Sequence, residues 1–366
     1  MSEITDKLYE KAGLLKIPLT GAFELLPLCN LKCKMCYVRK SAEEVAKEGG
    51  LMTGEFWVNC AEKAVREGML YLLLTGGEPL LHPDFCDIYL QILNMGTCIS
   101  VNTNGTLIDK ENADWFGKYK PRRLNITLYA ASEAGYQRCC RDASAYEKVI
   151  KGIELLKQKR VPIKFNASIT PDNIDELEGI ISLAKKYETP IEVETYMFPP
   201  VRRDNTMIGK NSRLTPDMAG YAMVRADCLM SEPEQFKKHA KMYSHFVPIS
   251  EIDNYSDNQS CPEKVKCRAG KSSFWIDWQG RMSYCGMHDG ETLDLLNLGF
   301  AQAWKKAVED TGKIEYYSYC GACPNKLLCH SCIAMVHNET GTTDGRPEYI
   351  CRMNESAAQY YREMTK

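Results

Sequence analysis

Three cysteines near the start of the chain have the spacing of a metal site whose ligand set is incomplete. Cys29, Cys33 and Cys36 lie in the stretch CNLKCKMCY. Structural zinc sites and closed iron–sulfur clusters normally take four protein ligands. A four-iron cluster needs one outside ligand for each iron, so three thiolates leave one iron open to another molecule. The trio therefore predicts either an open cluster or a partial zinc site.

A second group of cysteines occurs between residues 261 and 351. Eight thiolates divide into two sets of four, the number that a closed [4Fe–4S] cluster uses. Zinc is the competing interpretation, because CxxC pairs also build zinc ribbons, but the gap between the two CxxC pairs is short for a ribbon. Clusters with four thiolates each have no open iron, so their expected role is electron transfer. The eight residues are Cys261, Cys267, Cys285, Cys320, Cys323, Cys329, Cys332 and Cys351.

The composition excludes several classes of protein. The 366 residues suffice for two domains, and 46 basic against 48 acidic residues give no electrostatic case for a nucleic-acid or membrane partner. The chain opens without an apolar signal segment and has no apolar run of about 18 residues, so we expect a cytoplasmic location. Because cytosolic thiols stay reduced, the 17 cysteines indicate metal binding rather than disulfides.

Apolar runs of strand length alternate with helical patterns through the first half of the chain. A closed eight-unit barrel needs about 200 residues, so we predict an α/β fold with a partial (β/α)6 TIM-like barrel. A doubly wound open sheet is the alternative. The predicted strands are 22–28, 70–77, 98–105, 124–129, 162–169 and 191–197.

Residues at the predicted helix ends support this division. Thr53 is a predicted N-cap and Gly68 a predicted stop, while Asn173 and Glu176 have capping-box spacing. After residue 260 the alternation is lost and cysteine density rises, as in a small domain held together by metal. The predicted segments are an N-terminal extension (1–21), the barrel (22–198), a bridge with a helix near 215–231 (199–260) and a cysteine-rich domain (261–366).

The CxxxCxxC spacing followed by an aromatic residue resembles the radical S-adenosylmethionine (SAM) superfamily. The resemblance implies that the first cysteine trio holds a [4Fe–4S] cluster whose open iron binds SAM. Two groups of residues after the later strands also match the family: the GGEP motif (Gly76, Gly77, Glu78, Pro79) for the methionine ammonium, and Thr127 and Arg138 for SAM as in sulfatase maturases. The amides of Asn102 and Asn104 suit a ribose, Ser168 and Met197 are candidates for ribose and adenine contacts, and Tyr37, directly after the cysteine trio, is expected near the adenine.

The arginine is the charged member of that implied set. A guanidinium can bind the SAM carboxylate with two hydrogen bonds, and Arg141 is the alternative to Arg138.

The C-terminal cysteines resemble the SPASM domain, a two-cluster extension of sulfatase maturases and peptide-modifying radical SAM enzymes. The chain departs from that pattern in having two residues, rather than three, between Cys329 and Cys332. The resemblance implies a nearer auxiliary cluster on Cys261, Cys267, Cys285 and Cys332. It implies an outer one on Cys320, Cys323, Cys329 and Cys351, giving three [4Fe–4S] clusters with the SAM-binding one.

The implied reaction is reductive cleavage of SAM to a 5′-deoxyadenosyl radical, which abstracts a hydrogen atom from the substrate. A reductant such as ferredoxin or flavodoxin is the implied electron donor, and the auxiliary clusters are the implied acceptors. The leading hypothesis is a ribosomally made peptide that gains a C–C or C–S crosslink or is dehydrogenated. The alternatives are a small-molecule metabolite, formylglycine formation in a sulfatase, and a non-catalytic iron–sulfur or zinc-binding protein.

Two details bear on the substrate. Sulfatase maturases carry a basic aspartate directly after the third SPASM cysteine, where this chain has Gly286; His288 and Asp289 are the candidate substitutes. Only about 22 residues precede the first strand, so a peptide leader would need a separate binding protein, or the substrate is small.

Overall fold

The structure is a computed structural model. It describes residues 3–198, 212–252, 263–264, 267–288, 291–316, 320, 323–329, 331–343 and 345–365. Among the helices of these ranges, none combines the length and apolar character needed to cross a lipid bilayer.

Six parallel strands form the predicted barrel sheet. They are β1 (Thr20–Glu24), β2 (Tyr71–Thr75), β3 (Cys98–Thr103), β4 (Arg123–Thr127), β5 (Ile163–Ser168) and β6 (Ile191–Glu194). The strands follow one another in sequence order, and each pairs in parallel with the next. A doubly wound sheet would reverse its order at a switch point, so the partial barrel is confirmed and the alternative is wrong.

The first strand ends at Glu24 rather than near residue 28 as predicted. Leu25 donates its N–H to the Thr75 carbonyl, and the carbonyls of Leu26 and Leu28 accept the N–H groups that follow Thr75. The backbone groups of the apolar run after Glu24 are therefore hydrogen-bonded to the end of β2 and to the loop that follows it. The burial of this run explains why it looks like strand in the sequence.

The sheet continues into the cysteine-rich part of the chain. Strands β7 (Glu263–Lys264), β8 (Ser273–Ile276), β9 (Arg281–Ser283), β10 (Leu293–Asp294) and β11 (Glu315–Tyr316) follow the barrel. β8 pairs in parallel with β1, and β9 and β10 extend the edge in antiparallel pairs, while β7 and β11 form a separate ribbon. Backbone hydrogen bonds therefore join the predicted C-terminal domain to the barrel.

Helices cover the outside of the sheet and fill the C-terminal region. Thr53 caps the third helix by accepting the Phe56 N–H at 3.2 Å, and Gly68 ends it with a φ of 106°, as predicted. The helices are α1 (Glu3–Leu15), α2 (Ala42–Lys47), α3 (Gly54–Arg66), α4 (Phe85–Asn94), α5 (Lys110–Lys118), α6 (Glu133–Cys140), α7 (Ala145–Gln158), α8 (Leu177–Lys186), α9 (Pro216–Met230), α10 (Pro233–Tyr243), α11 (Ile249–Ile252), α12 (Leu295–Leu298), α13 (Phe300–Lys313), α14 (Ile333–Thr340) and α15 (Glu348–Met364).

The predicted capping box before α8 is wrong. Asn173 makes no cap hydrogen bond, because its side-chain oxygen accepts the Thr170 N–H at 2.7 Å, while its amide nitrogen donates to the carbonyls of Tyr129 (2.7 Å) and Ser168 (3.0 Å). A 3-10 turn over Ile174–Glu176 precedes the helix, and the Glu176 carboxylate accepts the Ala131 N–H at 2.7 Å. Tertiary contacts have thus replaced the local ones that the spacing suggests.

The helix predicted in the bridge is present as α9, and it packs along the last helix, α15. Gly220 lies where the backbone of α9 closely approaches that of α15. A Cβ at this position would come within 2.5 Å of the Met353 carbonyl oxygen and 2.8 Å of the Ala357 nitrogen. Neither backbone atom can move without shifting α15.

Gly220→Ala should therefore destabilise the protein, although alanine is the better helix former. We expect the free energy of unfolding to fall by about 1–3 kcal/mol in urea denaturation of proteins with matched iron content. The matched control is Gly312→Ala in α13, where an added Cβ meets no atom within 4 Å. This control should be neutral or stabilising by up to about 1 kcal/mol. Equal effects of the two changes would contradict the close packing of α9 on α15.

Candidate functional site

A cavity of about 200 Å³ opens at the C-terminal ends of the barrel strands. Most of the residues predicted to bind SAM and its cluster line it together. They are Cys29, Cys33, Cys36, Tyr37, Gly76, Gly77, Asn102, Asn104, Thr127, Ser168 and Met197. Parallel strands deliver their C-terminal ends to one edge, which is why residues far apart in sequence meet here.

The end of α6 supports the cysteine loop. The backbone N–H of Lys32 donates to the Cys140 carbonyl at 3.2 Å, and that of Lys34 donates to the Cys139 carbonyl at 3.0 Å. The Lys34 ammonium also pairs with Asp172 at 2.6 Å. The last carbonyls of a helix have no partner within the helix, so they are available to a neighbouring loop.

N–H groups surround two of the three sulfurs. The Leu31 N–H lies 3.4 Å from Cys29 Sγ, the Arg39 N–H lies 3.3 Å from Cys36 Sγ, and the Asn104 amide nitrogen lies 3.6 Å from Cys29 Sγ. Loss of hydration raises the pKa of Cys29 to about 12 and raises that of Cys36. A hydrogen bond with the Cys140 thiol lowers the pKa of Cys33. Metal binding would therefore release protons from Cys29 and Cys36, and their N–H donors would stabilise the thiolates.

The donor set fits a cluster with one open iron. Among the described residues that line the cavity, the three thiols are accompanied by no histidine and no carboxylate. Likewise, in the ranges given above, no three cysteine, histidine or carboxylate side chains converge on a single metal ion. A four-iron cluster spreads its ligands over different irons and prefers soft thiolates, whereas a zinc site would lack its fourth ligand.

The glycines of the GGEP motif allow close contact with the loop after β1. The Gly77 N–H donates to the Leu26 carbonyl at 2.7 Å. A Cβ on Gly76 would lie 2.4 Å from the Leu26 oxygen, and one on Gly77 would lie 2.2 Å from the Leu28 oxygen. Gly76 also has a φ of 145°. Glycine is needed here for backbone packing, which also sets the position of the exposed backbone at the cavity.

Glu78 and Pro79 lie beneath the cavity rather than on its lining. The fully buried Glu78 carboxylate accepts the Thr103 hydroxyl at 2.9 Å and the Asn104 N–H at 2.8 Å, and Pro79 begins a 3-10 turn. Loss of hydration raises the Glu78 pKa to about 7, against the lowering effect of these hydrogen bonds. Glu78 thus fixes the turn that carries Asn104.

The two asparagines of the NTNG stretch have different partners. The Asn104 amide nitrogen donates to the Asn30 side-chain oxygen at 2.9 Å, so it binds the cysteine loop. The Asn102 side chain lies at the cavity between Thr75 and Asn125. Its amide nitrogen donates to the Thr75 hydroxyl, and its oxygen accepts a hydrogen bond from the Asn125 amide nitrogen at 2.8 Å. Asn102 remains the better placed of the two for a ligand hydroxyl.

Arg138 is not brought to the cavity. Its guanidinium donates to the carboxylates of Asp175 (2.8 Å) and Glu176 (2.9 Å) and to the Asp172 carbonyl (3.0 Å). The alternative, Arg141, ends α6 with a φ of 61° and does not line the described cavity either. Arg138 therefore braces α6, the helix that carries the cysteine loop.

The sequence analysis missed α6, although Ser132 followed by Glu133 is an N-cap signal and Ser132 Oγ does accept the Gly135 N–H.

The C-terminal cysteines fall into two neighbourhoods. Burial raises the pKa of Cys285, and the nearby thiols of Cys332 and Cys267 raise it further. Burial also raises the pKa of Cys351 to about 12, with further effects from neighbouring thiols. Those neighbours are Cys320, Cys329 and Cys323. The predicted ligand Cys261 and the candidate base Asp289 lie outside the described residues.

A second cavity of about 260 Å³ adjoins the first. The two share Met35, Tyr37, Ser168 and Met197. The sequence analysis missed this cavity, although three of its methionines lie within three residues of a predicted cluster cysteine. The lining residues are Met35, Tyr37, Ser168, Glu194, Tyr196, Met197, Phe198, Met287, Met335 and Asn338.

Comparison with known proteins agrees with this geometry. Residues 23–184 match the family model described as the Radical SAM superfamily. The AdoMet-dependent heme synthase of Methanosarcina barkeri is 23% identical over 333 residues, which are 87% of this chain and 92% of the relative. The Probable GTP 3′,8-cyclase of Sulfurisphaera tokodaii is 30% identical over 280 residues, which are 75% of this chain and 83% of the relative.

A solved structure extends the likeness of the fold over both halves of the chain. Streptococcus suis SuiB bound to its precursor peptide SuiA superposes with a TM-score of 0.66 at 14% identity, covering 94% of this chain and 78% of SuiB. The three-thiol loop at the mouth of a partial barrel, the family match and these relatives lead to one conclusion. The chain belongs to the radical SAM superfamily, and it is an enzyme that uses SAM together with a [4Fe–4S] cluster.

Proposed function

We propose that the enzyme oxidises a side chain of a ribosomally made peptide, forming a crosslink or a double bond. The observation that carries this proposal is the continuity of the two cavities. The cavity of the cysteine trio shares four lining residues with a larger, mainly apolar one, whose wall includes Met287 and Met335 beside the C-terminal cysteines. A substrate held there lies between the two sets of cysteines. The precursor peptide bound to SuiB, a protein of similar fold, supports this choice.

The residues that would hold SAM are those at the strand ends. The hydroxyls of Thr127 and Ser168 and the amide of Asn102 face the cavity, with Tyr37 and Met197 as the apolar surface for a purine. When bound, SAM and its reduced cluster supply abstraction of a hydrogen atom from the substrate. The methionine and aromatic side chains of the second cavity would exclude water and other hydrogen donors during this step.

The C-terminal thiols would hold the two auxiliary clusters. One neighbourhood consists of Cys267, Cys285 and Cys332, and we assign Cys261 to it as the fourth ligand. The other consists of Cys320, Cys323, Cys329 and Cys351. The Met287 N–H lies 3.4 Å from Cys285 Sγ, and the Asn354 amide lies 3.6 Å from Cys329 Sγ. Such N–H donors tune the potential of a cluster that accepts electrons.

Formylglycine formation is less well supported. At Gly286, where sulfatase maturases carry the basic aspartate, a Cβ would lie 2.5 Å from the Trp275 ring, so no larger side chain fits. His288, the other candidate base, binds the Tyr284 hydroxyl at 2.7 Å and stacks on His337. It does not line either of the two described cavities.

A small-molecule substrate is the second candidate. It is favoured by the two relatives reported above, whose names indicate a tetrapyrrole product and a nucleotide substrate.

The iron content tests the cofactor assignment. After anaerobic reconstitution we expect about twelve irons per chain, since each of three clusters holds four. Replacing Cys29, Cys33 and Cys36 with Ala should remove about four irons and abolish formation of 5′-deoxyadenosine in the presence of dithionite. The control is Cys86→Ala, an exposed cysteine on α4 that should change neither value. Zinc in place of iron would contradict the assignment.

Mass spectrometry tests the reaction. We expect that incubation of the reconstituted enzyme with SAM, dithionite and short peptides encoded beside its gene will remove two hydrogens from one of them. Tandem spectra would then separate a crosslink from a double bond, because only a crosslink blocks fragmentation between the joined residues. Unchanged peptides, together with a metabolite that stimulates SAM cleavage, would favour the second candidate.

The buried Glu78 gives the protein a defined pH dependence. Its pKa of about 7 exceeds the ordinary value of 4.5, so the folded chain keeps a proton that the unfolded chain releases. The stabilisation is complete below about pH 4.5 and is lost as the pH rises through 7. Between about pH 4.5 and 7, the free energy of unfolding of the wild type should therefore fall relative to that of Glu78→Gln. Parallel curves for the two proteins in urea denaturation would show that Glu78 is ionised in the folded state throughout.

A further inference from the structure

On the described part of its wall, the second cavity has a single carboxylate and no other charged side chain. Among the described lining residues, Glu194 is the one with a charge, and four methionines and three aromatic rings make up most of the remainder. No lysine, arginine or histidine lies on the described wall of either cavity. The electrostatic preference of this site is therefore set by one negative group.

Glu194 lies close to the junction of the two cavities. It is the last residue of β6 and pairs in register with Ser168 at the end of β5. Ser168 lines both cavities, and Met197, three residues after Glu194, does so as well. A group bound by Glu194 would therefore be near the place where SAM chemistry occurs.

Within the described residues, the Glu194 side chain makes no hydrogen bond and no ion pair. Lys164, a described cation whose charge acts on Glu194, pairs with Glu192 instead. Loss of hydration and repulsion from Glu192 raise the pKa of Glu194, and Lys164 only partly offsets them. Glu194 is nevertheless an exposed residue of β6, so its carboxylate is open to a cation that a ligand would carry.

We propose that Glu194 binds the ammonium or guanidinium group of a lysine or arginine side chain of the peptide substrate. The methylene stem of such a side chain would lie along Met35, Met197, Met287 and Met335, whose flexible thioethers adapt to it. The cation would also face the rings of the cavity, which attract positive charge. This inference depends on the proposed peptide oxidation and names the side chain that enters the cavity.

The same geometry disfavours anionic substrates. The carboxylates of a tetrapyrrole or the phosphates of a nucleotide would meet a like charge and, on the described walls, no cation. The heme synthase and GTP cyclase relatives are therefore poor guides to the substrate of this chain. A substrate with a lysine or arginine side chain would distinguish this enzyme from both relatives.

Equilibrium binding to the reconstituted holoenzyme with SAM tests the inference. The probes are the labelled peptides Ac-Ala-Ala-Lys-Ala-Ala-NH2 and its norleucine analogue, which keeps the stem and lacks the charge. We expect the lysine peptide to bind about tenfold more tightly, since one charge-assisted hydrogen bond is worth roughly that factor. Glu194→Gln should abolish the difference. Glu192→Gln removes the same charge from the same strand, outside the cavity lining, and should preserve it.

A charge-reversal variant provides the second part of the binding test. Glu194→Lys should shift the preference to the glutamate analogue of the same peptide. The inference is overturned if the wild type binds the lysine and norleucine peptides equally, or binds neither of them. It is also overturned if the preference for the lysine peptide survives Glu194→Gln.

Turnover separates this inference from the proposed function. A norleucine peptide that loses two hydrogens as readily as the lysine peptide leaves peptide oxidation intact and refutes the role of Glu194. If no peptide is altered, while mesoporphyrin IX binds and stimulates SAM cleavage, both proposals fail.

Discussion

The site depends on two hydrogen bonds between the cysteine loop and the end of one helix. From Leu25 to Lys40 the chain has no helix or strand of its own, so its N–H groups must find acceptors elsewhere. Two alternate N–H groups, those of Lys32 and Lys34, use the carbonyls that α6 leaves free at Cys140 and Cys139. The three thiols therefore point into the cavity because a helix end holds the backbone between them. Arg138 stabilises α6 from outside the cavity, because its guanidinium binds the carboxylates of Asp175 and Glu176, which precede α8.

Much of the barrel and of its cofactor site could be predicted from the sequence. Runs such as LYLLLTGG are apolar on both faces, as buried parallel strands must be, and the following residues necessarily meet at one edge. The cysteine trio was visible because ligand spacing is a local property. Side-chain partners were less predictable. The spacing of Arg138 does not reveal that Asp175 and Glu176, from a different loop, compete for its guanidinium, and the spacing of Asn173 does not reveal the carbonyls of Tyr129 and Ser168.

The second cavity was hidden from the sequence for a different reason. Its wall combines the end of β6, the cysteine loop and residues close to the C-terminal cysteines. Methionines and a lone glutamate carry no motif, and the ordinary interpretation of each is a core or surface residue. The pairing of β8 with β1 and the hydrogen bond from the Tyr196 hydroxyl to Glu339 join the two halves of the chain and bring these segments to one place.

That pairing has a consequence for how the protein is made. Thr20 of β1 pairs with Ser273 of β8, about 250 residues later, so one side of β1 lacks its neighbour until nearly three quarters of the chain has left the ribosome. An unpaired strand edge of this kind invites contact with other chains, and closure over so long a loop is slow. A truncated chain that ends before residue 273 would keep that exposed edge permanently.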